Sequence, residues 1–230
     1  MNRRQFVKLS LAAGLLAGCR GLGRRGKIGL ALGGGGARGL AHVPMLEVFD
    51  ELRIRPDYIV GTSIGAVMGL LYASGMSGRE IRALIDRLTV SGEESWLGSL
   101  FDEDKGRWWD WIKLRLGKGG LVDPGRFLAF LEEQTGVNRF KQLQIPLQVV
   151  ASDFWNRSQV VLERGELGPA IHASIAIPGL FNPVEYRGRV LVDGGLVNPV
   201  PYDLLLDRCE TVVAINAVSY THLRAHETRR

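Results

Sequence analysis

Two short apolar runs, each closed by glycine, constrain this chain more than any other feature. They are "KIGLALG" (27–33) and "DYIVG" (57–61). A strand with one wet face alternates apolar and polar residues. A short continuous apolar run bounded by glycines fits a strand buried on both faces, as in a parallel sheet. Each run leads through a tight turn into a helical pattern, at about 39–52 and 64–74. "MSGREIRALIDRL" predicts a further helix, with Ser77 and Glu80 as a capping box and Ile81, Leu84, Ile85 and Leu88 on one face. "VDPGRFLAFLEEQTG" predicts another, with Asp123 as N-cap, Pro124 at the first helical position and Gly136 as the stop. Later strands are expected at 146–152, 189–193 and 211–216. Strands alternating with helices point to a layered α/β fold with a mostly parallel sheet. The 230 residues, 46% hydrophobic, suit one domain with a sizeable core, and no internal repeat is present.

The two ends differ from the rest. "MNRRQFVKLSLAAGLLAGC" has a basic head, a short apolar run and small residues before Cys19. That run is too short to span a bilayer, which takes about 20 apolar residues. "NRRQFVK" resembles a twin-arginine export signal, and "LAGC" resembles the lipobox in which the cysteine is lipidated. The competing reading is a cytosolic terminus with a free thiol. The expectation is an export signal over 1–18, a basic tether over 19–26 and an exported lipoprotein anchored by Cys19 at the periplasmic face or cell envelope. The tail 219–230, "SYTHLRAHETRR", carries no apolar period or cap and reads either as an artefactual appendage or as a genuine frayed terminus outside the domain. The formal charge of +5 comes from these two ends; residues 19–218 hold 23 basic and 23 acidic side chains. The composition therefore offers no electrostatic case for nucleic acid.

The chemistry-bearing residues sit at the turns. "GGGGARG" places Gly33–Gly36 between a strand and a helix, and Gly34, Gly36 and Gly39 fit G-x-G-x-x-G. A dinucleotide site would also want an acid at the end of the next strand, whereas Asp57 stands at its start. No G-K-[ST] follows, so a phosphate-binding P-loop fails. What remains is a glycine loop whose backbone N–H groups converge on one anionic point, either a phosphate or the oxyanion of an acyl-transfer intermediate.

"GTSIG" (61–65) has the G-x-S-x-G form, with Ser63 between Gly61 and Gly65. It is a candidate nucleophile on a sharp strand-to-helix turn; the bland reading is a hydroxyl in a structural bend. A Ser, Asp, His triad lacks its histidine, because after His172 the only ones are His222 and His226 in the tail. His42 and His172 read as packed, hydrogen-bonded residues. Asp193 in "VLVDGG" is the better base: it ends an apolar strand, expected at the same sheet edge, and Gly194 and Gly195 let the backbone turn away. Burial would raise its pKa toward a useful range. The alternative is an aspartate capping its own loop.

"GGGARG" (34–39), "GTSIG" (61–65) and "DGG" (193–195), in that order, resemble the patatin-like phospholipases. The flanks "LAH", "ASD" (151–153) and "ASIAIPGLFNPV" (173–184) resemble them too, so the likeness spans about 27–218. The resemblance implies a three-layer α/β/α fold, a domain truncated at its C-terminus, and a Ser63–Asp193 dyad without histidine. It also implies an oxyanion hole from the amides of Gly34, Gly35, Gly36 and Arg38, and no metal or cofactor. The implied partner is a phospholipid or other lipid ester. A membrane surface would be reached through Cys19 and through the segment Trp96–Trp111, which holds four of the five tryptophans. That segment reads equally as a solvated helix whose aromatics cap the core. The competing functions are a non-catalytic lipid-binding lipoprotein of the same fold and a nucleotide-binding oxidoreductase.

Overall fold

A computed structural model describes residues 26–90 and 124–218. Cys19, Asp123, the Trp96–Trp111 segment and the tail lie outside the described residues. Among the described residues seven strands form one sheet in the order β5-β6-β3-β2-β1-β7, with β4 also on β3. The strands are β1 (Ile28–Leu32), β2 (Tyr58–Thr62), β3 (Leu147–Asp153), β4 (Ser158–Leu162), β5 (Val184–Tyr186), β6 (Arg189–Asp193) and β7 (Thr211–Ile215). β7, β1, β2 and β3 are parallel neighbours. β4 and β6 pair antiparallel with β3, and β5 antiparallel with β6, so five of the seven strands run one way.

The helices are α1 (His42–Glu51), α2 (Ile64–Ala73), α3 (Gly78–Val90), α4 (Gly125–Thr135) and α5 (Leu167–Ile175). Strand periodicity explains why they gather on one face. Leu30 and Leu32 of β1, Ile59 of β2, and Leu147 and Val149 of β3 point into the main core. The intervening Ala31, Val60 and Val150 join Leu205 and Cys209 in a small second cluster, with Tyr58, Leu204 and Val212 packed against it. The face with the larger cluster takes the helical layer; the other takes the short 3-10 segment Tyr202–Leu205. The layers flanking the sheet are thus unequal among the described residues. α2 is buried all round, as a helix pressed between sheet and outer helices must be.

Local signals were read correctly at several ends. The capping box forms, with Ser77 N–H and Oγ donating to Glu80 Oε2 at 2.7 and 2.8 Å. Gly136 ends α4 at φ 67, a left-handed position where glycine carries no Cβ penalty. Pro124, expected inside α4, instead caps it from outside at φ −80, ψ 6. The helix expected at 39–52 divides into a 3-10 turn (Gly36–Ala41) and α1, with Pro44 in the first turn of α1, where its missing N–H costs nothing. β4 and β5 have no counterpart in the sequence reading. One begins with two exposed residues and the other has three residues, too little for a period to register.

Candidate active site

The register of β3 brings the two candidate residues together. β2 pairs with β3 up to Thr62 opposite Val150, and β6 begins its pairing with Asp193 opposite the next residue, Ala151. β4 overlaps both partners along β3, so it must occupy the other edge. β2 and β6 therefore share one edge of β3 and meet end to end. Asp193 was expected at the C-terminal end of an apolar strand, at the same sheet edge as the glycine loop and Ser63. It does reach the edge where β2 ends, but on an antiparallel strand arriving from the opposite direction.

Ser63 Oγ donates to Asp193 Oδ2 at 2.6 Å, with both residues buried. Ser63 sits at φ 55, ψ −126, a conformation that side chains avoid and that costs about 1–3 kcal/mol. Four glycines permit the close packing around it. A Cβ on Gly65 would strike the Leu32 carbonyl, and one on Gly194 the Val150 carbonyl. Gly61 and Gly39 have the same office beside Ala66 and Ile64. Strain at this point is held in place by backbone contacts on both sides.

Asp193 is fixed at three points. Its N–H donates to Ala176 O at 2.9 Å, its carbonyl accepts from Ser152 Oγ at 2.7 Å, and Oδ1 accepts from Gly195 N–H at 2.7 Å. Burial pushes its pKa above the ordinary carboxylate value, and the hydrogen bonds from Ser63 and Gly195 pull part of the way back. The loop-capping reading thus holds for one oxygen, through Gly195, while the other oxygen serves Ser63.

The four amides expected around an oxyanion are not equivalent. Gly34 N–H donates to Pro199 O at 2.9 Å and Arg38 N–H to Gly35 O at 3.2 Å, so both are spent on closing the loop. This corrects the expectation for those two residues: folding a glycine loop consumes some of its own donors. The amides of Gly35 and Gly36 make no hydrogen bond to the described residues. Gly34, Gly35 and Gly36 line a cleft of about 370 Å³ together with Ser63 and Asp193. Its apolar wall is Ile177, Pro178, Leu196, Val200 and Val218.

Among the described residues neither histidine takes part in the pair. His42 Nε2 donates to the Gly33 carbonyl at 2.8 Å, behind the loop, and its Nδ1 is buried without a partner. Burial lowers its pKa, so it is neutral at pH 7. His172 Nε2 contacts Asn182 O at 3.0 Å, on α5. Among the described residues no group of three or more His, Cys, Asp or Glu could hold a metal ion.

One contact was not anticipated from sequence. Ser63 N–H donates to Ser174 Oγ at 2.8 Å, and Ser174 is wholly buried on α5. The available signal was a lone hydroxyl in the apolar "PAIHASIAIPG".

Comparison with known proteins matches residues 30–206 to the model of the patatin-like phospholipases. The chain belongs to the patatin-like phospholipase family. An uncharacterized NTE family protein of Mycobacterium tuberculosis is 34% identical over 175 residues, 76% of this chain and 44% of that protein. A patatin-like phospholipase domain-containing protein of Caenorhabditis elegans is 28% identical over 201 residues, 85% of this chain and 14% of its length. This patatin-like chain thus spans less than half the length of these relatives. The crystal structure of VipD from Legionella pneumophila shares its fold, with a TM-score of 0.51 at 17% identity over 83% of this chain and 49% of VipD.

Proposed function

We propose that this chain is a serine acyl hydrolase of phospholipids or other lipid esters, working through a Ser63–Asp193 dyad. The observation that carries the reading is the 2.6 Å bond between a strained serine and a buried carboxylate at the floor of an apolar cleft. Family membership supports the lipid substrate. Ser63 Oγ attacks the ester carbonyl carbon as its proton passes to Asp193 Oδ2. The carbonyl oxygen becomes an oxyanion held by the Gly35 and Gly36 amides, with Gly34 setting their position. The intermediate collapses, the alcohol departs with the proton from Asp193, and Ser63 is left acylated. Water then attacks the acyl-enzyme, losing its proton to Asp193, and the fatty acid leaves as the proton returns to Ser63.

A fluorophosphonate probe separates this reading from a lipid-binding protein that merely keeps the fold. Peptide mapping of the labelled protein is expected to find the adduct on Ser63, with free fatty acid released from mixed phospholipid vesicles. An unlabelled Ser63 in folded protein would overturn the assignment.

We also propose that residues 1–18 direct export, that 19–26 form a tether and that 27–218 are the hydrolase domain, held at the cell envelope by lipidated Cys19. The "LAGC" sequence supports the anchor. Among the described residues no helix is long and apolar enough to cross a membrane. Cys19→Ser is expected to move the protein from the membrane fraction to the soluble fraction; unchanged fractionation would count against the anchor.

A further inference from the structure

Ser63 N–H poses a problem that the dyad alone does not solve. It lies just past the last paired residue of β2, buried, in a backbone conformation that no sheet ladder can accommodate. A buried N–H without an acceptor costs about 1–3 kcal/mol. Ser174 Oγ supplies the acceptor at 2.8 Å and donates its own hydrogen bond to Val150 O at 2.6 Å. The hydroxyl is therefore oriented from both sides, with its hydrogen on the β3 carbonyl and a lone pair on the Ser63 amide. Val150 is the residue that pairs with Thr62, and its neighbour Ala151 pairs with Asp193.

The same short segment holds the other partner. Two residues after Ser174, the Ala176 carbonyl accepts the N–H of Asp193 at 2.9 Å. Residues 174–176 thus grip the backbone of the nucleophile with a side chain and the backbone of the base with a carbonyl. Both grips sit where β2 and β6 meet. β2 and β6 are not hydrogen-bonded neighbours, so the separation of Ser63 from Asp193 depends on what spans the junction.

We infer that Ser174 is a positioning residue for the dyad, setting the orientation of Ser63 relative to Asp193 without touching substrate. This rests on the dyad reading above. It has a second consequence: with its N–H turned to Ser174, Ser63 does not contribute its own amide to an oxyanion hole. That task falls to the glycine loop.

The test compares Ser174→Cys with Ser174→Ala, using purified protein, a short p-nitrophenyl ester and a fluorophosphonate. Cysteine nearly conserves volume but is a weak acceptor and a weak donor. A packing role predicts that Ser174→Cys retains wild-type turnover. The positioning role predicts that kcat and the phosphonylation rate fall about 10–100-fold in both variants, with KM within about twofold, because small misplacements of reacting groups cost about that much. Rates are compared at a fixed interval below each variant's own Tm. Wild-type kcat in Ser174→Cys would overturn the inference. Amide exchange of wild-type Ser63 gives a check independent of any variant. Slow exchange is expected for a bonded N–H, and exchange at the rate of exposed loop amides would overturn the inference too. A wild-type protein with neither turnover nor labelling would instead defeat the dyad reading itself.

Discussion

Ser63→Ala is expected to lower kcat for a p-nitrophenyl acyl ester on the order of 10⁵-fold, leaving only what the cleft and the glycine loop do by binding. The loss should be this large because no other group in the described site offers a nucleophile to the cleft beside Asp193. A companion variant reads the strain. Ser63→Gly is equally inactive but removes the Cβ from a φ 55 position. It should melt higher than Ser63→Ala, by the equivalent of about 1 kcal/mol. Undiminished turnover by purified Ser63→Ala would remove the nucleophile from the mechanism. Equal melting of the two variants would mean that the turn carries no strain.

Asp193→Asn should cost about 10³–10⁴-fold in kcat/KM, the usual share of a positioned base, while the fold persists. Asparagine matches aspartate in size and can still accept from Gly195 N–H. It cannot take the Ser63 proton. The pH dependence carries a sign that can be checked. The pKa of Asp193 is raised in the folded protein, chiefly by burial. Activity needs the ionised form, so kcat/KM should rise with pH through a midpoint above the ordinary aspartate value. Stability runs the other way. Between the unfolded and folded pKa values the native state binds more protons than the unfolded chain, so stability falls as pH rises through that window and is level above it. Asp193→Asn lacks that fall. Its Tm relative to wild type should therefore increase across the same window, and a relative Tm that decreased there would contradict a desolvated carboxylate.

Much of this site was legible because its parts are local. Ser63 between two glycines after an apolar run is a strand-to-helix turn whatever surrounds it, and Asp193 before two glycines is a strand end with its carboxylate left at a bend. The capping box at Ser77 and Glu80 and the stop at Gly136 are local for the same reason. The direction of β6 was not legible, since "RVLVD" reads alike in either sense. The spending of the Gly34 amide on Pro199 was hidden as well, because its acceptor lies 165 residues away. Ser174 drew no attention as a lone hydroxyl on an apolar helix, and its partner Ser63 is 111 residues distant.

By itself the sequence determined which residues are candidates for the chemistry and the turns on which they stand. Backbone conformation and apolar period depend on neighbours a few positions away, and those are written in the chain. Tertiary structure alone decided that β2 and β6 meet end to end along β3, which loop amides the described residues leave unbonded, and how far Asp193 is withdrawn from water. Strand direction, donor pairing and desolvation arise from contacts between segments remote in sequence, and such contacts exist only once the sheet has closed around them.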